Sequence, residues 1–301
     1  MQVDDLLATM WRIRLFEERV AQLVREGEIE GLVHSSMGQE GVAAAVCLQL
    51  RDDDAVYSGH RAHGHALAKG ASLERTMAEL MGRDGGLCRG LGGSMHLVDV
   101  EHGFMGATGV VGGNVPMALG HVLAARLRGD DSIAVAFFGD GAVQAGVFNE
   151  TVNLAALWAL PLVLVCENNG FAEFTPRSAH TTVERVSDVV APYDLERATV
   201  DGGDPVAVWD AFGEFLAEAR TGRGPFLLEC LTYRLRAHYE GDHRAGSRDE
   251  FDAKDPIARL DPDGSFDASA IEAEVERAVQ VARESPFPPR DLIERLVYAD
   301  A

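Results

Sequence analysis

The sequence of 301 residues lacks a surplus of positive charge and a long apolar run, and each absence excludes a class of function. Lys and Arg together number 27 against 48 Asp and Glu, which gives a formal net charge of −21. A protein that binds nucleic acid through its phosphates, or docks on an anionic membrane, needs the opposite balance. No apolar stretch approaches the roughly 20 residues of a membrane helix. We therefore expect neither a nucleic-acid partner nor a membrane partner.

Closely spaced cysteine pairs are also lacking. The four cysteines lie far apart, and Cys166 and Cys230 fall inside apolar runs, which is typical of buried free thiols. A disulfide framework is therefore not expected, and a reducing compartment is favoured. The N-terminal residues do not form a basic and then apolar leader, so we expect a cytoplasmic protein.

The apolar pattern predicts an α/β fold. The runs 133–138 and 162–166 are apolar throughout, and 226–230 is apolar except for one Glu, as in parallel strands that are covered on both faces. Residues 5–26 and 116–127 have the apolar spacing of helices. We therefore expect a mainly parallel sheet with helices on both faces, in a single domain that spans the whole chain and ends in a helical tail from about residue 250.

Residues 82–113 are unusually rich in glycine and show no clear period. A loop of this length inside a compact domain is usually functional. Glycine also permits close approach of the backbone to a ligand. We therefore expect this segment to contribute to a binding site.

The pattern Gly139-Asp140-Gly141 is followed, after 26 intervening residues, by Asn168-Asn169. Each part stands just past a predicted buried strand, where ligand crevices of parallel sheets form. Carboxylate and amide oxygens suit Mg²⁺, which usually shares its coordination shell with substrate phosphates. Either motif alone is as readily a structural turn, because Asn-Gly pairs are common turn formers. Together they predict a magnesium diphosphate site, to which a helix beginning after Gly141 would add its positive end.

At this point the sequence resembles the thiamine diphosphate enzymes, and more closely the alpha subunit of the decarboxylating component of 2-oxo acid dehydrogenase complexes. The stretches that carry the resemblance are MGQEG at 37–41, HRAHGHALAKG at 60–70, GLGGSMH at 90–96, GVVGGNVPMALG at 109–120, FFGDGAVQAGVFNETVNLAALWALPLVLVCENNGFAE at 137–173, YRLRAHYEGD at 233–242 and DPI at 255–257. They cover nearly the whole chain. Several look most like the acetoin dehydrogenase branch, with pyruvate and branched-chain 2-oxo acid dehydrogenases as alternatives.

The resemblance implies a role for each matching residue. The metal ligands would be Asp140, Asn169 and the carbonyl of Phe171. Backbone groups of Gly141 and Ala142, together with Arg61, would meet the diphosphate. Gly109 and Val111 would meet the aminopyrimidine through their backbones, His60 would stand where pyruvate dehydrogenases usually have Tyr, and His34 and His238 would face the reacting carbon of thiamine diphosphate. His238 is suited to proton transfer because a histidine pKa lies near neutrality.

The resemblance also implies partners. The glutamate that activates the cofactor comes from the beta chain in this family, and Glu40 does not match it. We therefore expect an α₂β₂ heterotetramer that cleaves the C–C bond next to a carbonyl, in acetoin or a 2-oxo acid, and passes the acyl group to a lipoyl acyltransferase component. The sequence departs from the family at Gln144, at Ala237-His238-Tyr239 and at Ser247-Arg248 in a loop from Glu240 to Glu250 that we expect to be mobile.

Three other interpretations remain at this stage. His60, His63 and His65 could hold zinc for a hydrolase, although no HExxH motif or cysteine cluster accompanies them. An inactive, binding-only homologue is disfavoured by the complete Asp140 and Asn169 pair and by His238. A Rossmann NAD-binding fold is disfavoured because no GxGxxG stands between a first strand and a helix.

Overall fold

The computed structural model describes residues 1–242 and 254–297 and contains a six-stranded parallel sheet with a small antiparallel hairpin beside it. The strands are β1 (Ala55–Ser58), β2 (Phe104–Ala107), β3 (Ala134–Gly139), β4 (Leu162–Asn168), β5 (Phe171–Ala172), β6 (Thr175–Pro176), β7 (Glu196–Asp201) and β8 (Phe226–Leu231). The order across the sheet is β2-β1-β3-β4-β8-β7, and β5 pairs with β6 in the hairpin. All neighbours in the larger sheet run parallel, so their carboxyl ends share one edge.

Helices surround the sheet. They are α1 (Val3–Glu26), α2 (Glu40–Cys47), α3 (His63–Ala68), α4 (Leu73–Leu80), α5 (Asn114–Arg128), α6 (Gly146–Leu157), α7 (Arg177–His180), α8 (Val186–Val189), α9 (Pro205–Ala219), α10 (Pro256–Leu260), α11 (Ser269–Glu284) and α12 (Leu292–Val297). Short 3₁₀ turns occupy Gly93–Met95, Val100–His102, Asp140–Gln144 and Ala191–Tyr193. Among the described residues, no helix is long and apolar enough to cross a membrane.

The sheet divides the core into two halves, which explains its uninterrupted apolar strands. Val135 and Phe137 of β3 pack with α1, α2 and α9 on one face. Ala134, Ala136 and Phe138 pack with α5 and α6 on the other. Alternate side chains of a strand point to opposite faces, so a strand buried on both is apolar at nearly every position. The expected parallel sheet with helices on both faces is confirmed.

Helix termini follow the signals in the sequence. Gly27 ends α1 with a φ of 78°, a conformation that glycine adopts at low cost. Asp204 caps α9, because its side chain accepts hydrogen bonds from the backbone N–H groups of Val206 and Ala207. The helices from Pro256 onward pack back on the domain: Val275 of α11 is buried in the core.

The structure corrects one expected helix start. The α-helix predicted directly after Gly141 begins only at Gly146, and a 3₁₀ turn fills the gap. The N–H groups near Gly141 therefore belong to that turn and to no α-helix end. Strands β1, β2 and β7 were not predicted, because two are only four residues long and β7 at the sheet edge has a mixed polar sequence.

Candidate functional site

The predicted site residues gather at the carboxyl edge of the sheet, around a cavity of about 430 Å³. They follow β1, β2, β3, β4 and β8 or lie in the loop after α1. The predicted residues that line the cavity are His34, His60, Arg61, Gly109, Val111, Gly141, Ala142, Asn169, Phe171 and His238. Asp140 is fully buried between Gly139 and Gly141, which both line it. Parallel topology thus brings distant segments to one crevice.

Asp140 is a buried carboxylate at the carboxyl end of β3. Its side chain has no exposed surface, and neither carboxylate oxygen accepts a hydrogen bond within the described residues. Among the described residues, Nη1 of Arg177 lies 3.7 Å from Oδ2 and is itself without a hydrogen-bond partner. Burial raises the pKa of Asp140, and Arg177 only partly opposes this. Since buried polar groups in folded proteins are normally paired, this carboxylate fits a bound cation.

Gly141 permits a close approach between the turn after β3 and the hairpin β5–β6. A Cβ atom at position 141 would lie 2.7 Å from Cβ of Ala172, which is closer than side chains pack. Any larger residue would therefore push the turn and the hairpin apart. The glycine keeps Asp140 and Phe171 on neighbouring segments.

Glu229 fixes the segment that carries Asn169 through hydrogen bonds. Oε1 of Glu229 accepts a hydrogen bond of 2.6 Å from Nδ2 of Asn168. Its two oxygens also accept from the backbone N–H groups of Val186 and Ser187. Burial alone would raise the pKa of Glu229, but these hydrogen bonds hold it below the usual value. Sequence reasoning missed this carboxylate, which lies inside the apolar run of β8.

Two arginines bring positive charge to the cavity. Arg61 donates hydrogen bonds to the carbonyls of Ser35 and His238. Burial and the neighbouring Arg234 lower the pKa of Arg61 to about 10. Arg234 also lines the cavity and donates to Nδ1 of His238 at 3.2 Å. Arg234 was not among the predicted residues, although it stands in the YRLRAHYEGD stretch.

His34, His60 and His238 form a cluster in the same cavity. Their ring centroids are 4.7, 4.8 and 5.3 Å apart. Burial, followed by the charge of Arg61, lowers the pKa of His34 to about 3, of His60 to about 2 and of His238 to about 4. The expectation that His238 titrates near neutrality is therefore wrong for this structure. At neutral pH all three rings are uncharged.

The zinc set proposed from HxxHxH does not assemble. His63 is fully buried, with one ring nitrogen against Glu17 and the other against Ser94. His65 is likewise engaged at both nitrogens, by Ser58 and Glu167. Neither ring keeps a free lone pair to share with His60. The hydrolase interpretation therefore loses its ligands.

Glu40 is a structural residue in this fold. It is fully buried, and its carboxylate binds Nε of Arg14 at 2.6 Å and the backbone N–H of Gly38 at 2.8 Å. Arg14 also forms two hydrogen bonds to Asp255, which begins the DPI stretch. Through Arg14, this network joins two matching motifs, 37–41 and 255–257, that lie far apart in sequence. It also agrees with Glu40 not being the activating glutamate.

The glycine-rich segment is organised around Glu79. Its carboxylate accepts backbone hydrogen bonds from Cys88, Gly90, Gly92 and Gly93. A chain turning this tightly around one side chain needs small residues. The segment continues to Met95, which lines the cavity near Gly109.

The family departures fall partly within the described residues. Gln144 is exposed, whereas Ala237 is buried beside the cavity histidine. The ring of Tyr239 lies 6.4 Å from that of His34. Ser247, Arg248 and most of the loop from Glu240 to Glu250 lie outside the described residues.

Comparison with known proteins gives a consistent result. A family described as Dehydrogenase E1 component matches residues 8–289. The chain is 42% identical over 293 residues to the alpha subunit of an acetoin:2,6-dichlorophenolindophenol oxidoreductase from Bacillus subtilis, which covers 93% of this chain and 88% of that relative. It is 44% identical over 241 residues to the pyruvate dehydrogenase E1 component subunit alpha of Rhizobium meliloti. This match covers 79% of this chain and 69% of that relative.

A solved structure of similar fold is the transketolase from Campylobacter jejuni. Its TM-score is 0.64 at 19% sequence identity, and the match covers 100% of this chain. The chain spans about half of that enzyme, 51% of its length. At this identity the likeness concerns the fold alone.

Proposed function

Because the chain belongs to the dehydrogenase E1 component family, we propose that it is the alpha subunit of a thiamine diphosphate-dependent dehydrogenase that acts on acetoin. The match over residues 8–289 confirms the resemblance inferred from the motifs. The acetoin substrate is supported by the Bacillus subtilis relative at 42% identity. Pyruvate is the second candidate substrate, favoured by the Rhizobium meliloti relative at 44% identity over a shorter span.

The observation that carries this proposal is the buried carboxylate of Asp140 at the end of β3, which accepts no hydrogen bond within the described residues. Its environment fits a divalent cation, and oxygen ligands suit Mg²⁺. In the proposal, Asp140, the side chain of Asn169 and the carbonyl of Phe171 hold the metal. Arg61 and the backbone of Gly141 and Ala142 bind the diphosphate that shares it.

Arg234 gives the site a second cation, and a guanidinium suits an anion with several oxygens. The backbones of Gly109 and Val111 bind the aminopyrimidine in this arrangement. Bound there, thiamine diphosphate would supply the nucleophilic carbon and the electron sink for cleaving the bond next to a carbonyl. The protein supplies the position of the substrate and the transfer of protons.

His238 has a defined proton in this arrangement. A guanidinium can only donate, so Nδ1 of His238 accepts from Arg234 and the neutral ring carries its proton on Nε2. That N–H is available to a substrate oxygen. His34 and His60 line the cavity beside His238.

A beta subunit is the implied partner, since the relatives are named as alpha subunits. We propose that it completes the site with the activating glutamate in an α₂β₂ heterotetramer. A lipoyl acyltransferase component then receives the acyl group. We further propose that the assembly works in the cytoplasm.

Turnover by the chain alone and by the chain co-expressed with its beta subunit tests this proposal. Both preparations receive thiamine diphosphate, Mg²⁺ and an artificial electron acceptor, with acetoin, pyruvate and a branched-chain 2-oxo acid in parallel. We expect activity only in the co-expressed pair, highest with acetoin. Turnover by the isolated chain would refute the shared site, and a preference for pyruvate would transfer the assignment to the second candidate.

A further inference from the structure

The cluster of His34, His60 and His238 has a geometry that the proton-transfer role proposed for His238 does not explain by itself. One ring nitrogen of each residue lies within 4.8 Å of those of the other two. Nδ1 of His34 is buried and has no hydrogen-bond partner among the described residues. An unsatisfied buried ring nitrogen is uncommon, and here it stands in a cluster of three potential nitrogen ligands.

We propose that His34, His60 and His238 form a binding site for one borderline transition-metal dication, with Zn²⁺ as the reference ion, distinct from the oxygen site at Asp140. Three imidazole nitrogens and one water are a common zinc coordination sphere. Mg²⁺ prefers oxygen ligands and would not compete for these nitrogens. The two sites would therefore select different metals within one cavity.

The rings are prepared for this role in two respects. Burial keeps them uncharged at neutral pH, so no proton has to leave before a nitrogen binds the metal. Nitrogens bound to one tetrahedral zinc at about 2.1 Å would lie roughly 3.4 Å apart. The three ring nitrogens now lie within 4.8 Å of one another, so each pair would have to approach by little more than an ångström at most.

Two cations oppose the metal. Arg61 adds positive charge beside the cluster, and Arg234 donates to Nδ1 of His238, which uses one candidate lone pair. A metal that binds this nitrogen must displace the arginine. Arg234 therefore competes with the metal. Loss of a histidine ligand should weaken metal binding, whereas removing Arg234 should strengthen it.

Calorimetric titration of the full-length chain with Zn²⁺ tests the proposal, after chelator treatment and with Mg²⁺ in large excess to fill oxygen sites. We expect one Zn²⁺ per chain. His60→Phe should weaken binding more than about tenfold, as loss of a metal contact does. Arg234→Gln should tighten it about fivefold, the effect of removing one competing hydrogen bond. His102→Ala, which removes a histidine paired with Asp99 away from the cluster, is the matched control.

Circular dichroism of each variant separates loss of the site from loss of the fold. Zn²⁺ binding that is unchanged in His60→Phe, absent in the wild type, or weakened in Arg234→Gln would overturn the proposal. Inhibition of acetoin turnover by Zn²⁺, reversed by a chelator, is a further expectation that rests on the proposed function. The calorimetry uses no substrate or thiamine diphosphate, so its outcome is independent of that function.

Discussion

Replacing Asp140 with asparagine should stabilise the cofactor-free chain while abolishing its metal-dependent function. The carboxylate is fully buried, and within the described residues neither oxygen accepts a hydrogen bond. Asparagine keeps the shape and removes the charge, which is the costly part of the burial. Arg177 loses a neighbour at 3.7 Å but keeps its hydrogen bonds to the carbonyls of Val183 and Glu184.

Leaving a buried polar group unsatisfied costs about 1–3 kcal/mol, and more when the group is charged. Because an asparagine amide is neutral, we expect Asp140→Asn to raise the free energy of unfolding by about 1–2 kcal/mol at pH 7. The gain must depend on pH. Because burial raises the pKa of Asp140, the folded wild type binds a proton more tightly than the unfolded chain. Its stability therefore falls as the pH rises from the unfolded value of about 3.9 through the folded pKa. The advantage of the variant should be present at pH 7 and vanish below pH 4.

Ligand binding should reverse the order of stability. Mg²⁺ and thiamine diphosphate at about 100 times the dissociation constant would stabilise the wild type by about 2.7 kcal/mol. The variant should gain almost nothing. Urea unfolding of the full-length chain at pH 7 and pH 4 measures the first effect, and thermal unfolding of the co-expressed complex with and without both ligands measures the second. Asp210→Asn, on the exposed face of α9, is the matched control.

Two outcomes would refute this reasoning about Asp140. A variant that is less stable than the wild type at pH 7 would mean that the carboxylate is well paired without a metal. A variant that keeps the full ligand-induced stabilisation would mean that the metal is held elsewhere.

Three further predictions follow from the supports of the site. Glu229→Ala should weaken magnesium-dependent binding of thiamine diphosphate. Because hydrogen bonds lower the pKa of Glu229, its contribution to stability should be present at pH 7 and lost as the pH falls below about 4.3. Urea unfolding of wild type and variant over this pH range measures the loss. Gly141→Ala should reduce cofactor affinity in calorimetry of the complex by about tenfold, a typical loss for a disturbed outer contact. Gly146→Ala is the control, because a Cβ there meets nothing within 4 Å, and it should leave the affinity unchanged. Equal affinities of the two variants would contradict the argument. Arg14→Met should cost about 3–5 kcal/mol in urea unfolding by leaving buried Glu40 unpaired, and the double variant with Glu40→Leu should recover most of it; a loss below about 1 kcal/mol in the single variant would show the pair to be unimportant.

The central strands could be predicted because burial on both faces leaves an unmistakable pattern. β3, β4 and β8 are apolar at nearly every position and were identified within one or two residues. The edge strand β7 presents Glu196 and Arg197 to solvent, so its sequence resembles a loop. β2 is shorter still and contains a glycine. Only pairing with β1 makes it a strand, and pairing is a tertiary property.

The same limit applies to the site. Asp140 and Asn169 could be related by sequence because each follows a central strand of a parallel sheet. Arg234 reaches the cavity, and Arg177 reaches Asp140, from segments whose path depends on packing. For the histidines, closeness in sequence was misleading. His63 and His65 follow His60 closely, but they lie two positions apart on α3, and such positions do not face each other. The actual neighbours of His60 are 26 and 178 residues away in sequence.

The charge of the whole chain is a poor guide to the charge of this cavity. The net charge of −21 would repel a diphosphate at long range, and screening limits that effect to about 8–10 Å. Within the cavity, burial and then the nearby charge of Arg234 lower the pKa of Arg61 to about 10. The repulsion between buried Arg61 and half-buried Arg234 is relieved when an anion lies between them. The buried carboxylate of Asp140, which accepts no hydrogen bond within the described residues, has the converse need for a cation. A metal bound to a diphosphate supplies both charges at once, so metal and anion should bind with positive cooperativity, each removing the penalty that opposes the other.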